Sequence, residues 1–325
     1  MWLDGCNRSM SYAKHESRLG SRRDGRAAVG GRGVASRRPP RHLLYEDRKR
    51  RVTQAMAAGD GDRPGNSGRQ AAGSAVVFLS ACGGAGLSTC LALCAKTLAG
   101  RGHACAIVDA DRAAGGMDVL LGLESDPGLR LSELEAPLGR MDPGALEHEL
   151  PKWEGMAVLS SDPWTGPAPQ AWDLDAALRA LEEGAELVLV DGADGRGLDE
   201  LESLAGQPRL VLAEMTVLGL ARTRALLARL GADPVVGGHA DGRTLLVGLV
   251  PRGMRRPPPV DRAEAEGFLG RPLAAVFRPD GGLAASIMNG LGVDRIPRSY
   301  RKPLEGLADR IEEAAGLEPV GKGRA

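Results

Sequence analysis

Aromatic side chains make up only 3% of the sequence, so the core has to be assembled from Leu, Val and Ala. No row of rings is on offer for single-stranded nucleic acid to stack on. CxxC pairs are absent too. The five cysteines, Cys6, Cys82, Cys90, Cys94 and Cys105, form an odd set without a histidine at metal-ligand spacing, and a reducing compartment suits them. No apolar run approaches the roughly 18 residues of a membrane span, and the N-terminus lacks the apolar stretch of a secretory signal. A soluble, cytoplasmic protein is therefore expected. Net charge is missing as well, with 42 Lys and Arg against 42 Asp and Glu.

That balance conceals an uneven distribution. The first 70 residues carry 16 Lys and Arg against 7 Asp and Glu, which leaves the remainder acidic. Residues 1–73 are rich in Arg, Gly, Ser and Pro with no apolar period, the composition of a disordered segment. Three readings compete for it: a solvated tail, an extension upstream of a true start at an internal Met such as Met56, and a basic arm for nucleic acid or anionic lipid.

From Ala75 the pattern changes to short β-branched or Leu-rich runs, each followed by a helical stretch. This predicts an α/β fold of three layers, a mostly parallel sheet of about seven strands with helices on both faces, over residues 74–316 and followed by a flexible tail at 317–325. With 325 residues and 43% apolar content, there is enough chain for such a core. The expected strands are 75–80, 104–109, 156–160, 187–191, 209–213, 245–250 and 273–277. Helices are expected over 88–101, 143–150, 171–183, 198–205, 217–230, 261–269, 283–289 and 304–315. The run Arg255-Arg256-Pro257-Pro258-Pro259 reads as a loop.

The first strand ends in Ser80-Ala81-Cys82-Gly83-Gly84-Ala85-Gly86-Leu87-Ser88-Thr89 and an apolar helix follows at once. In that context glycines let successive backbone N–H groups turn into one concavity, and the helix adds its positive end, which makes a cradle for phosphate. Ser88 stands where a hydroxyl can ligate Mg²⁺. A tight strand-to-helix packing turn would also select Gly, so the loop alone is weak evidence.

Cys82-Gly83-Gly84-Ala85-Gly86-Leu87-Ser88-Thr89 resembles the deviant Walker A loop of ParA/MinD proteins, written KGGxGK[ST]T. Ile107-Val108-Asp109-Ala110-Asp111 with Gly115-Gly116-Met117-Asp118-Val119-Leu120-Leu121-Gly122 is similar to that family's switch I segment. Leu187–Gly195 resembles the strand acid and switch II, and Pro272–Asp280 with Ala284-Ala285 and Asn289-Gly290 resembles the closing strand and helix. The four blocks keep the family's order and span nearly all of residues 75–316. The resemblance implies ATP or ADP and Mg²⁺ as ligands, with residues 82–89 on the nucleotide, Asp109 and Asp111 at the catalytic switch, and Ser88 and Asp191 around the metal. It also implies a homodimer.

Two departures bear on activity: Cys82 and Leu87 stand where the family carries lysines. Loss of such charge stabilisation typically costs on the order of 10³ in rate, so little or no ATP hydrolysis is expected. Pro251-Arg252 replaces an expected adenine-reading Asn. A glycine loop retained without its lysines is most similar to the CpaE/TadZ and septum-site-determining branch, which implies division or pilus-secretion partners and recruitment to the inner face of the membrane at poles or septum. The alternative is an active partitioning ATPase, which would need both lysines and a basic DNA-binding face. A cluster-carrying enzyme of the same superfamily would need the missing CxxC. Nucleic acid as a partner is not expected.

The remaining candidates have plainer readings. Cys90 and Cys94, at i,i+4 spacing, pack against the sheet. His103 and His148 read as surface residues. The last helix carries Glu305, Asp309, Glu312 and Glu313 and so lacks the basic face of a membrane-targeting helix.

Overall fold

A computed structural model describes residues 73–111, 115–161, 169–232, 243–253 and 260–318. The basic segment up to residue 72, the Arg255–Pro259 run and most of the C-terminal tail lie outside them.

The strands are β1 (Ser74–Ser80), β2 (Cys105–Asp109), β3 (Lys152–Trp153), β4 (Met156–Leu159), β5 (Leu187–Asp191), β6 (Arg209–Glu214), β7 (Thr244–Leu249) and β8 (Leu273–Phe277). They form one sheet in the order β3-β4-β2-β5-β1-β6-β7-β8. Every pairing is parallel except β3 with β4. The helices are α1 (Leu87–Gly100), α2 (Met117–Leu121), α3 (Pro143–Glu149), α4 (Ala171–Gly184), α5 (Val217–Arg229), α6 (Arg262–Leu269), α7 (Gly281–Met288) and α8 (Arg298–Ala315).

Strand residues alternate between faces, and β1 shows the consequence. Ala75, Val77 and Leu79 enter one core with the apolar residues of α3 to α6, while Val76 and Phe78 enter a second core with α1, α2, α7 and α8. Because both faces are covered, the strands read as unbroken apolar runs. The chain leaves β1 toward β2 and β4, returns through β5, and crosses to β6 on the other side of β1. The C-terminal end of β1 is therefore the point where strand order reverses, and a crevice opens there.

Several expectations need correction. The sheet, expected to hold about seven strands, has eight. The extra one, β3, is two residues long, too short to show a period. It is joined to β4 by Glu154-Gly155, both at positive φ (52° and 84°), the geometry of a tight hairpin. Residues 198–205 form two 3₁₀ turns, Leu198–Glu200 and Glu202–Leu204, instead of an α-helix. Their apolar side chains recur every third residue, at Leu198, Leu201 and Leu204, which suits three residues per turn. Helix α7 starts at Gly281 because the Asp280 carboxylate accepts from Leu283 N at 2.9 Å. Helix α8 starts at Arg298 and runs through Pro303.

His103 is not a surface residue: it is 5% exposed, whereas His148 is exposed. Its Nδ1 lies 3.2 Å from Glu186 Oε2 and its Nε2 3.1 Å from Glu312 Oε1. Arg101, at the end of α1, donates to Glu312 and Glu305 and pairs with Asp309 at 2.9 Å. The acids of α8 thus clamp it to the end of the helix that leads from the glycine loop. Glu312→Ala removes an acceptor from both His103 and Arg101 and is expected to cost about 1–2 kcal/mol in urea unfolding. An unchanged midpoint would mean the clamp contributes nothing.

Candidate functional site

A cleft of about 1400 Å³ lies along the C-terminal ends of the strands, lined by the glycine loop and by residues from β2, β5, β6, β7 and β8. Its floor is the turn from β1 to α1. The Ser80 hydroxyl accepts from Cys82 N at 3.3 Å and donates to Leu212 O at 3.2 Å, which anchors the turn's entry. Gly84 and Gly86 have φ of 72° and 85°, conformations that cost L-residues strain. A Cβ at Gly83 or Gly84 would meet no atom within 4 Å. Gly84 and Gly86 therefore serve backbone shape, whereas Gly83 has neither a positive φ nor a close neighbour. Helix α1 begins with no side-chain cap and no acid in its first turn. Its first residues line the cleft, and an uncapped helix start of this kind suits phosphate.

Beside the loop, two strand-end carboxylates stand in register, Asp109 on β2 opposite Asp191 on β5. Asp191 accepts from Ser88 Oγ at 2.6 Å and from Ala193 N at 3.0 Å. Ala193 itself sits at φ 48°, a strained position for a residue with a Cβ. Asp109 accepts from the backbone N–H groups of Asp111 and Met117 at 3.1 and 3.3 Å. Gly115 passes so close that a Cβ there would lie 2.7 Å from Ser161 Cβ. Burial, and then the Asp191 charge, push the Asp109 pKa up to about 7. Burial also raises that of Asp191, against the pull of the Ser88 hydrogen bond. Asp111 is half-buried and lines the same cleft.

This donor set fits Mg²⁺. Ser88 Oγ and Asp191 offer hard oxygen ligands, with Asp109 alongside, and a cation would relieve a crowded pair of carboxylates. Among the described residues, no group of three or more His, Cys, Asp and Glu is placed to hold a metal unaided. Such an ion would take its other ligands from phosphate and water. When bound, it would supply charge neutralisation for the phosphates.

Cys82 and Leu87 line the cleft but are only 7% and 8% exposed, packed into the core under α1. Neither offers a positive charge. The cations on the cleft wall, among the described residues, are Arg196 and Arg252. Arg196 is paired with Asp194 at 2.9 Å. Cys82, Cys90, Cys94 and Cys105 are free thiols, and the Cys90 hydrogen bond, followed by burial, raises the Cys94 pKa well above its ordinary value.

The end of the cleft near β7 and β8 is apolar. Leu249, Phe277, Leu283, Ile287 and Tyr300 line it. Tyr300 was not singled out by sequence reasoning, yet it closes this end. Its hydroxyl donates to Arg278 O at 2.5 Å and its ring lies 5.0 Å from that of Phe277. The scarcity of aromatics was the available signal, since each ring in such a chain has a large share of the packing to do.

These features define an α/β protein with the fold seen in structures of MinD and ParA ATPases. Solved structures with this fold include the cell division ATPase MinD of Pyrococcus furiosus, 22% identical with a TM-score of 0.56 over 75% of this chain and 100% of that one. Another is a ParA family ATPase of Chlorobium tepidum TLS, 17% identical with a TM-score of 0.59 over 73% of this chain and 98% of that one. A third is the septum site-determining protein MinD of Pyrococcus horikoshii OT3, solved with Mg-ADP, 18% identical with a TM-score of 0.54 over 74% and 95%. No family model matches the chain. In sequence it is 32% identical over 220 residues to an uncharacterised protein of Mycobacterium tuberculosis, found in strains H37Rv and CDC 1551, covering 67% of this chain. The chain spans 58% of the length of those curated relatives.

Proposed function

We propose that the chain is a ParA/MinD-type positioning protein that holds a nucleotide with Mg²⁺ on a lysine-free P-loop and hydrolyses it little or not at all. The observation that carries the reading is the uncapped start of α1, with Ser88 bonded to Asp191 at 2.6 Å beside it while Leu87 and Cys82 lie buried. The cradle is intact and its charge is missing. Backbone N–H groups and a metal suffice for phosphate binding, whereas acceleration of phosphoryl transfer calls for cations that track the developing charge.

On this reading the nucleotide site acts by setting the shape of the switch segments at Asp109–Asp111 and Asp191–Gly195. The protein's work then resides in surfaces offered to a second copy and to division or pilus-secretion proteins, with peripheral recruitment to membrane-bound machinery. Among the described residues no helix is long and apolar enough to cross a membrane.

Phosphate release by the whole chain with Mg-nucleoside triphosphates is expected to run about 10³ below that of a lysine-bearing P-loop ATPase of this fold. Brisk turnover would defeat the proposal in favour of an active partitioning ATPase. A fluorescent fusion is expected to form midcell bands or polar foci, and uniform spread over the nucleoid would also count against it.

A further inference from the structure

The sequence places the start of the last helix at residue 304, past the cations that precede it. Helix α8 begins instead at Arg298, which puts Arg298, Arg301 and Lys302 at its start, all of them exposed. Two more exposed arginines stand beside them. Arg278 follows the end of β8, where its carbonyl accepts from the Tyr300 hydroxyl at 2.5 Å, and Arg295 Nη2 lies 3.1 Å from where a Gly282 Cβ would be. Among the described residues none of these five cations has a carboxylate partner, although Arg101, Arg179, Arg262 and Arg310 are all paired.

Exposed apolar side chains adjoin the charges. Met288, the last residue of α7, is 80% exposed and Leu291 is 67% exposed. The turn between them is fixed: Gly290 N donates to Ile287 O at 3.1 Å and Leu291 N to Ser286 O at 2.9 Å, the Schellman pairing, with Gly290 at φ 74°. In that motif the residue in the place of Leu291 commonly packs back on its helix, whereas here it stays in water. Gly292 seats the loop on α2, since a Cβ there would lie 2.6 Å from Leu120 O. A fixed turn therefore holds two large aliphatic side chains outward, and the chain runs on directly to Arg295 and Arg298.

We infer that the α7–α8 turn and the start of α8 form a docking surface for an anionic phospholipid bilayer. Met288 and Leu291 enter the acyl boundary, and Arg278, Arg295, Arg298, Arg301 and Lys302 meet the headgroup phosphates. Duplex nucleic acid would engage the same cations, but its phosphate backbone gives protruding aliphatic side chains nothing to bury in. A bilayer takes up both kinds of group. Nothing bound in the cleft is needed for this contact.

The test is co-sedimentation of the whole chain with phosphatidylglycerol–phosphatidylcholine vesicles, with vesicles of phosphatidylcholine alone, and binding to duplex DNA. Wild type is expected to bind the anionic vesicles and to leave the neutral ones. Changing Arg295, Arg298 and Arg301 together to Gln should weaken that binding roughly a hundredfold. Met288→Gln with Leu291→Gln should weaken it roughly tenfold, a loss that charge attraction alone would not produce. All five side chains are exposed, so both variants should unfold in urea as wild type does. Failure to bind anionic vesicles, or equal binding to neutral ones, would overturn the assignment. Variants that bind as wild type does would place the contact elsewhere and overturn it too, and binding of duplex DNA in place of the vesicles would replace it with a nucleic-acid surface.

Discussion

Asp109→Asn is expected to make the protein more stable at pH 8, by about 2 kcal/mol, although it replaces a residue at the centre of the site. Asp109 is 3% exposed and its pKa rises from an ordinary 3.8 to about 7 in the folded protein. The folded state keeps a proton that the unfolded chain gives up across that interval, so stability from this group is complete below pH 4 and is lost as pH climbs toward 7. About three pH units at 1.36 kcal/mol each amount to roughly 4 kcal/mol. The variant escapes that loss but turns an amide NH₂ toward one of the two backbone N–H groups that Asp109 accepts, which returns part of it.

The informative quantity is the difference between variant and wild type in urea unfolding from pH 4 to 8. It should start negative at pH 4, where the variant is less stable by about 2 kcal/mol, and rise through zero to about 2 kcal/mol in the variant's favour at pH 8. Mg²⁺ with nucleotide should close the gap at pH 8, because the ion neutralises the carboxylate in wild type and finds a poorer ligand in the variant. A difference that stays flat with pH, or a variant less stable at pH 8, would mean the carboxylate pair is not under strain.

Such strain has a reading in terms of use. Two in-register carboxylates beside a phosphate cradle form a site that is costly when vacant and relieved when occupied, which ties ligand binding to the order of the segments following β2 and β5. Most of the frame for this was legible from residue order. The alternation of apolar runs and helical stretches placed seven of the strands to within a residue at each end, and put the glycine loop between β1 and α1. What local pattern could not show was who meets whom. His103 looked isolated because its partners, Glu186 and Glu312, come from distant β5-proximal and α8 positions. The acids of α8 spoke only against a membrane-targeting face, and their partner Arg101 could not be read from them because it lies at the end of another helix. Helix α2 is five residues long and follows two glycines at positive φ, so neither period nor propensity announces it. The absence of lysine at 82 and 87 was visible, but the burial of both replacements was not.

That burial makes Leu87→Lys the most demanding variant. The Leu87 side chain is 8% exposed yet borders the cleft, so a lysine can keep its methylenes in the apolar position and extend its ammonium toward the phosphates. A charge-assisted contact is worth about 1.5–3 kcal/mol, so affinity for a Mg-nucleoside diphosphate should rise roughly ten- to a hundredfold by calorimetric titration. Lost leucine packing should cost about 1–2 kcal/mol in the ligand-free protein. Hydrolysis should stay slow, since Cys82 still supplies no second cation. The same ammonium near the carboxylates should lower the Asp109 pKa, so the decline in stability between pH 4 and 7 should be shallower than in wild type. Tighter binding and a flattened pH profile have to appear together, because one charge in one cleft causes both. A folded variant showing neither would place position 87 outside the reach of the phosphates and remove the explanation offered here for a silent P-loop.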